Sequence, residues 1–248
     1  MARVLVPLPD LDFDVTEVAV PWRMLREAGH EVVFATQRGD VVPRADPRLL
    51  DGVVFGRLGA ADEPRRFYAA LCDDPAFRSP LAWGASDVAS FDALLLPGGH
   101  ALGMRQYLAD ETLQRQVGAF WALERPVAAI CHGVIVLARS IDPRTNAPVL
   151  RDVRTTCLPK YMERSAYFLT AWKLGRYYRT YRAYVEDEVR SALRDPGRQF
   201  VRGPRTLSKR GTASDDRPAF VVEDGRYLSA RWPGDAYLFA RRLLARLE

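Results

Sequence analysis

The stretch Val127–Ser140, VAAICHGVIVLARS, decides the fold: a short apolar run meets Cys-His-Gly and then a second apolar run of helical character. A strand that turns sharply into a helix at a cysteine is a nucleophile elbow, which holds the turning residue in a strained backbone conformation and lifts its side chain above the sheet edge. The first amides of the following helix, with its dipole, favour a thiolate at Cys131. A buried cysteine in an ordinary core strand explains Cys131 alone. It does not explain a polar ring at His132 and a residue without Cβ at Gly133.

The chain has three histidines, His30, His100 and His132. No histidine lies far downstream of Cys131, which excludes a triad of the papain or glutamine-amidotransferase order. An imidazole partner for Cys131 must therefore be His132 or His100. His30 falls between a helix end and a strand in AGHEVVFAT and reads as a turn residue.

Outward from the elbow, strands and helices alternate. ARVLVPL (2–8), EVVFAT (31–36) and FDALLLPGG (91–99) read as strands, TEVAVPWRMLREAG (16–29) and 111–123 as helices, and the chain closes with a hairpin over 219–230 turning at Asp224-Gly225 and a helix from Asp235. This βαβ order predicts a mostly parallel, flavodoxin-like α/β sheet with helices on both faces and the site at the carboxyl ends of the strands, where Pro97-Gly98-Gly99 and Cys131 fall. Residues 40–90, with breaks at Asp46-Pro47, Asp51-Gly52 and Phe55-Gly56 and a short helix near 65–71, read as an excursion from the sheet. Residues 160–195 read as mainly helical and aromatic, a packing stripe with a few members at a pocket mouth, and 196–218 as a loop. The 248 residues, 48% apolar, suit one domain, with 160–218 as a helical and loop insertion or cap.

Of 36 basic residues only Lys160, Lys173 and Lys209 are lysines. The net charge of +5 thus reflects arginine usage along the whole chain, without the basic stripe and interleaved aromatics of a nucleic-acid surface. Three cysteines without paired spacing, no leader pattern and no apolar run near the ~18 residues of a span predict a cytoplasmic protein that binds neither nucleic acid nor membrane.

AICHG, LLLPGGH, the opening PLPDLDFDVTEVAVPWRMLREAGHEVVFAT and the closing FVVEDGRYLSARWPGDAY together resemble the DJ-1/PfpI superfamily, which has the class I glutamine amidotransferase-like fold, and within it the Hsp31-like branch. About residues 160–218 match least. The resemblance implies Cys131 as nucleophile, His132 as its histidine and Glu17 as the acid that tunes the thiol, although Asp14-x-x-Glu17 also has the spacing of a helix N-cap. It implies an oxyanion and substrate site at Gly98, Gly99 and His100 together with the His132 amide, a homodimer, and a small-molecule substrate. The branch orients its histidine with an acid near position 160; Lys160 stands there, and Glu163 is the nearest acidic substitute. No metal is expected, because no histidine pair matches the branch's metal ligands, and no cofactor. The implied activity is glutathione-independent conversion of small dicarbonyls, methylglyoxal to lactate, in stress or detoxification. The same elbow also suits another cysteine hydrolase or hydratase, acting on an amide or isonitrile, or a non-enzymatic redox-sensing or chaperone-like stress protein.

Overall fold

The computed structural model describes residues 1–53, 59–85, 87–206 and 208–248. Its main sheet runs in the order Val221–Asp224, Tyr227–Ala230, Val127–Ile130, Ala93–Leu96, Arg3–Pro7, Glu31–Thr36 and Leu81–Ala82. All neighbours are parallel except the first pair. The central strands Ala93–Leu96 and Val127–Ile130 are buried at every residue, the expected pattern where helices cover both faces and no polar alternation is needed. The helices form two groups that pack among themselves: Val15–Glu27 with Asp62–Cys72 and Ala236–Leu244, and Gly133–Arg139 with Met104–Ala109, Glu111–Ala122 and Val185–Ser191.

Register brings the functional loops together. Leu96 pairs with Ala129, and Ile130 with Ala230. Pro97-Gly98-Gly99, Cys131-His132 and Arg231-Trp232 therefore leave the sheet side by side at one edge. The strand expected over 91–99 is confined to Ala93–Leu96, because Pro97 has no N–H to give the ladder. The opening helix, Val15–Glu27, starts beneath Asp14, whose Oδ1 accepts the Thr16 and Glu17 N–H groups.

Two expectations change. Residues 40–90 are not wholly an excursion, since Leu81–Ala82 returns to pair with Ala35 and Thr36 as the sheet's edge strand; the Phe55-Gly56 break lies outside the described residues. The aromatic stretch is not simply packing either. The helix Lys160–Leu174 exposes Phe168, Leu169 and Trp172, the first and last at 66% and 70%. It stops at Gly175, which takes φ +56°, and the irregular run to Tyr184 then lays Thr180 over the sheet edge before the next helix, Val185–Ser191. No described helix is long and apolar enough to cross a membrane.

The final turn is pinned by a fully buried ion pair. Arg231 donates from Nε and Nη2 to Asp235, and from Nη1 to the Pro204 carbonyl at 2.6 Å. Asp235 also accepts the Phe220 N–H. The pairing satisfies both charges and fixes the loop before the hairpin against the sheet's last parallel strand.

Candidate functional site

Cys131 is the turning residue of the elbow, with φ +57° and 1% exposure. Gly133 is required beside it. A Cβ there would stand 2.1 Å from the Leu96 carbonyl oxygen, so only glycine lets the elbow helix lie this close to the neighbouring strand's end. Gly98 is equally constrained, since a Cβ would meet the His132 nitrogen at 2.7 Å and Glu17 Oε2 at 2.9 Å.

Cys131 Sγ lies 3.6 Å from His132 Nδ1, and the other ring nitrogen, Nε2, lies 3.3 Å from Thr180 Oγ1. The Thr180 hydroxyl donates its one proton to the His100 carbonyl at 2.5 Å. Oγ1 can therefore only accept from the ring, which assigns the proton to Nε2 and leaves the Nδ1 lone pair facing the thiol. The His132 amide also favours the ionised sulfur. The histidine thus has an orienting partner, a neutral hydroxyl.

Glu163 does not supply that partner. Its Oε1 accepts Arg179 Nη1 at 3.0 Å and its Oε2 accepts the Val185 N–H at 3.0 Å, so both oxygens are committed to a buried ion pair and a helix start. Burial pushes its carboxyl up to about 7, against those two contacts. Lys160 faces away, bridging Asp187 at 2.6 Å.

Glu17 is fully buried under the elbow, and its Oε2 accepts the Gly98 N–H at 2.8 Å. The carboxyl does not return to the Asp14 N–H as a reciprocal cap would, for that amide donates to the Gly98 carbonyl. The Gly98 amide is consequently spent on Glu17 and is not free for an oxyanion. Gly99 packs on the other side, with its Cβ direction 2.5 Å from the Asp12 carbonyl oxygen. Oε1 of Glu17 meets no hydrogen-bond geometry among the described residues, yet the carboxyl stands near enough to shift the thiol.

Protonation departs from the sequence-based expectation of a thiolate. Burial, followed by the charges of Glu17 and Asp14, pushes the Cys131 thiol well up, and the His132 amide offsets only part of this. Burial and the neighbouring Asp14 hold Glu17 well above the usual carboxylate range. Burial, then His100 and Arg179, hold His132 well below the usual imidazole value. Each shift favours the neutral form: thiol, neutral imidazole and carboxylic acid.

His100 packs edge-on against His132, with ring centroids 4.8 Å apart, and against Tyr178 at 5.9 Å. The structure thus contains the histidine pair that spacing did not reveal: ligand atoms of His100, Cys131 and His132 all lie within 4.8 Å of one another, a donor set suited to a soft or borderline cation. His100 and Asp14 also line a cavity of about 190 Å³, walled by Leu158, Met162, Leu169, Tyr178, Arg210 and Trp232 among others. His30 keeps its turn role, accepting the Ala2 N–H on Nδ1 at 3.1 Å.

Sequence reasoning missed Thr180 and Arg210. Thr180 carries no motif. Arg210, in a loop, reaches the cavity because the adjacent Gly211 N–H donates to the Gly234 carbonyl at 2.8 Å.

Residues 8–204 match the family described as ThiJ/PfpI family-like. A deglycase of Pyrococcus abyssi is 26% identical over 246 residues, covering 99% of either chain. An uncharacterised protein of Schizosaccharomyces pombe is 28% identical over 253 residues, 97% of this chain and 82% of that one. The crystal structure of glyoxalase III from Candida albicans shares the fold with a TM-score of 0.66 at 19% identity, covering 100% of this chain and 98% of that one. With its elbow cysteine, the glutamate beneath it and a family match over most of its length, the chain belongs to the ThiJ/PfpI-like family.

Proposed function

We propose that the protein is a cysteine-dependent enzyme acting on small reactive carbonyl compounds, converting a 2-oxoaldehyde to a 2-hydroxy acid without glutathione. The observation that carries this reading is the Cys131 Sγ to His132 Nδ1 approach of 3.6 Å, with the ring's far nitrogen held by Thr180. The names of relatives, the deglycase of Pyrococcus abyssi and glyoxalase III of Candida albicans, point to the same class of chemistry.

The thiol is protonated at rest, so ionisation accompanies attack. As Sγ bonds to the aldehyde carbon, the S–H proton passes to His132 Nδ1 and then to the aldehyde oxygen, giving a hemithioacetal. His132 Nδ1 next removes the proton on that carbon, forming an enediolate, and returns it to the adjacent former ketone carbon while the hydroxyl proton on the first carbon passes to the neighbouring oxygen, giving a 2-hydroxy thioester. Water then cleaves the thioester, releasing the hydroxy acid and the thiol. The net change is addition of one water to the oxoaldehyde. Protonated Glu17 keeps a second negative charge away from the sulfur while it is a thiolate or leaving group.

The test is turnover of methylglyoxal by purified protein with no added glutathione, followed as lactate. Cys131→Ser should abolish it, and His132→Ala should reduce it nearly as far. A wild type that turns over no dicarbonyl would overturn the reading, and turnover of amides or isonitriles would then put a hydrolase or hydratase in its place.

A further inference from the structure

The cavity beside the site has an unusual composition. At about 190 Å³ it exceeds the ~30 Å³ share of one water and falls below the roughly 300–1,000 Å³ of drug-sized pockets. Leu49, Val53, Leu158, Met162, Ala166 and Leu169 make it mostly apolar. Two of its hydroxyls are turned back on their own helix, Ser165 to the Tyr161 carbonyl and Thr170 to the Ala166 carbonyl, both at 2.8 Å. Asp14 spends Oδ1 on the helix start.

Against these walls, four polar groups lack a hydrogen-bond partner among the described residues: Arg210, Trp232 Nε1, His100 Nε2 and the Tyr178 hydroxyl. Arg210 makes no hydrogen bond or ion pair among the described residues; its guanidinium stacks over the Trp232 ring at 5.1 Å, which fixes the fork's plane without using its N–H groups. Trp232, 7% exposed, has a buried Nε1 with no hydrogen-bond partner, and so has His100 at Nε2. A cation in a largely apolar cavity is costly unless something pairs with it. The carboxyls of Asp14 and Glu17 act on Arg210 through space, without an ion pair or hydrogen bond. Burial and the neighbouring acid keep Glu17 well up, and burial brings Asp14 to about 6.

We propose that this cavity binds a small apolar carboxylate, with Arg210 taking the carboxylate through its N–H fork, Trp232 Nε1 assisting, and the apolar body lying against the helix Lys160–Leu174. A planar guanidinium matches a carboxylate with two parallel hydrogen bonds. The shape and apolar lining disfavour a hydrated inorganic anion. Because His100 lines the cavity and has a ring nitrogen within 4.8 Å of Cys131 Sγ and His132, the inference deepens the proposed function and rests on it for chemistry: the substrate is an aldehyde that carries a carboxylate on an apolar body.

Binding of benzoate and of its neutral analogue benzamide, measured by calorimetry on the wild-type protein, tests this without turnover. Benzoate should bind at least about tenfold more tightly, the scale of one charge-assisted hydrogen bond. Arg210→Gln should remove that preference by weakening benzoate while leaving benzamide unchanged, and Arg210→Lys should keep part of it. Equal affinity for the two ligands, or inorganic phosphate binding as tightly as benzoate, overturns the inference; the wild-type comparison decides even if Arg210→Gln does not fold. Methylglyoxal, which carries no charge, separates the two readings. Turnover without benzoate preference overturns the carboxylate site alone, and benzoate preference without turnover of any dicarbonyl, charged or uncharged, supports the carboxylate site while overturning the enzyme.

Discussion

Thr180 Oγ1 lies 3.3 Å from His132 Nε2, on the opposite side of the ring from Cys131, and hands its own proton to the His100 carbonyl. A neutral hydroxyl thus stands where the sequence resemblance implies a carboxylate. It fixes the tautomer and ring orientation without raising the basicity of the imidazole.

Thr180→Val keeps the shape and removes the acceptor. The expected outcome is a fall in kcat/KM of about tenfold, one net hydrogen bond of ~1–1.5 kcal/mol, with Thr180→Ser close to wild type. Nitrogen NMR of labelled histidine checks the cause directly: Nε2–H dominates in the wild type and a tautomer mixture appears in Thr180→Val. An unchanged spectrum would remove Thr180 from the site.

Glu163 separates stability from catalysis. Removing it leaves Arg179, 7% exposed at the side chain, without its counter-charge and the Val185 N–H without an acceptor. Glu163→Ala should therefore cost about 3–5 kcal/mol in denaturant unfolding. The pH dependence of turnover should not move, because no carboxylate is taken from the imidazole. A shifted pH profile with unchanged stability would restore Glu163 as the acid of a triad.

The parts of this site that are legible in the sequence are those set by local rules. Cys131 and Gly133 follow from a strand meeting a helix, and their neighbour Gly98 follows from the end of the adjacent strand, where Pro97 stops the ladder. The capping spacing of Asp14 and Glu17 is equally plain, but only the tertiary approach of Gly98 tells which of the two carboxyls caps and which serves the elbow. Thr180 and Arg210 are illegible for a different reason. Each stands on irregular chain whose course depends on distant contacts, the Arg179–Glu163 pair for one and the Gly211 to Gly234 bond for the other. The thiol's protonation is hidden for a third reason: the helix amides that favour a thiolate show in the local pattern, and the burial that opposes them does not.

Accessibility orders the three cysteines. Cys131 and Cys157 are buried, whereas Cys72 is half-buried. The elbow geometry alone would make Cys131 the first thiol to oxidise, but burial pushes it up and shields it. Iodoacetamide, with peptide mass spectrometry as the readout, should label Cys72 first, Cys131 more slowly and Cys157 last. Labelling of Cys131 ahead of Cys72 at neutral pH would show a more open and more ionised thiol than the structure has.

Glu17 gives the site a pH signature. An acid held above its ordinary value carries more protons folded than unfolded between the two pKa values, so stability falls as pH rises through that window. For Glu17 the window opens near 4.5, and Asp14, pushed to about 6, adds to the same slope from 3.8. Glu17→Gln keeps an oxygen for the Gly98 N–H and abolishes the Glu17 share of the slope. The variant should therefore gain on the wild type as pH rises from 5 to 8, as read from urea unfolding at both pH values. Over the same range wild-type turnover should fall against the variant's, because only the wild type can gain a second negative charge beside the thiolate. A stability difference that stays constant with pH would mean that Glu17 titrates as an ordinary carboxylate and cannot keep its proton beside Cys131.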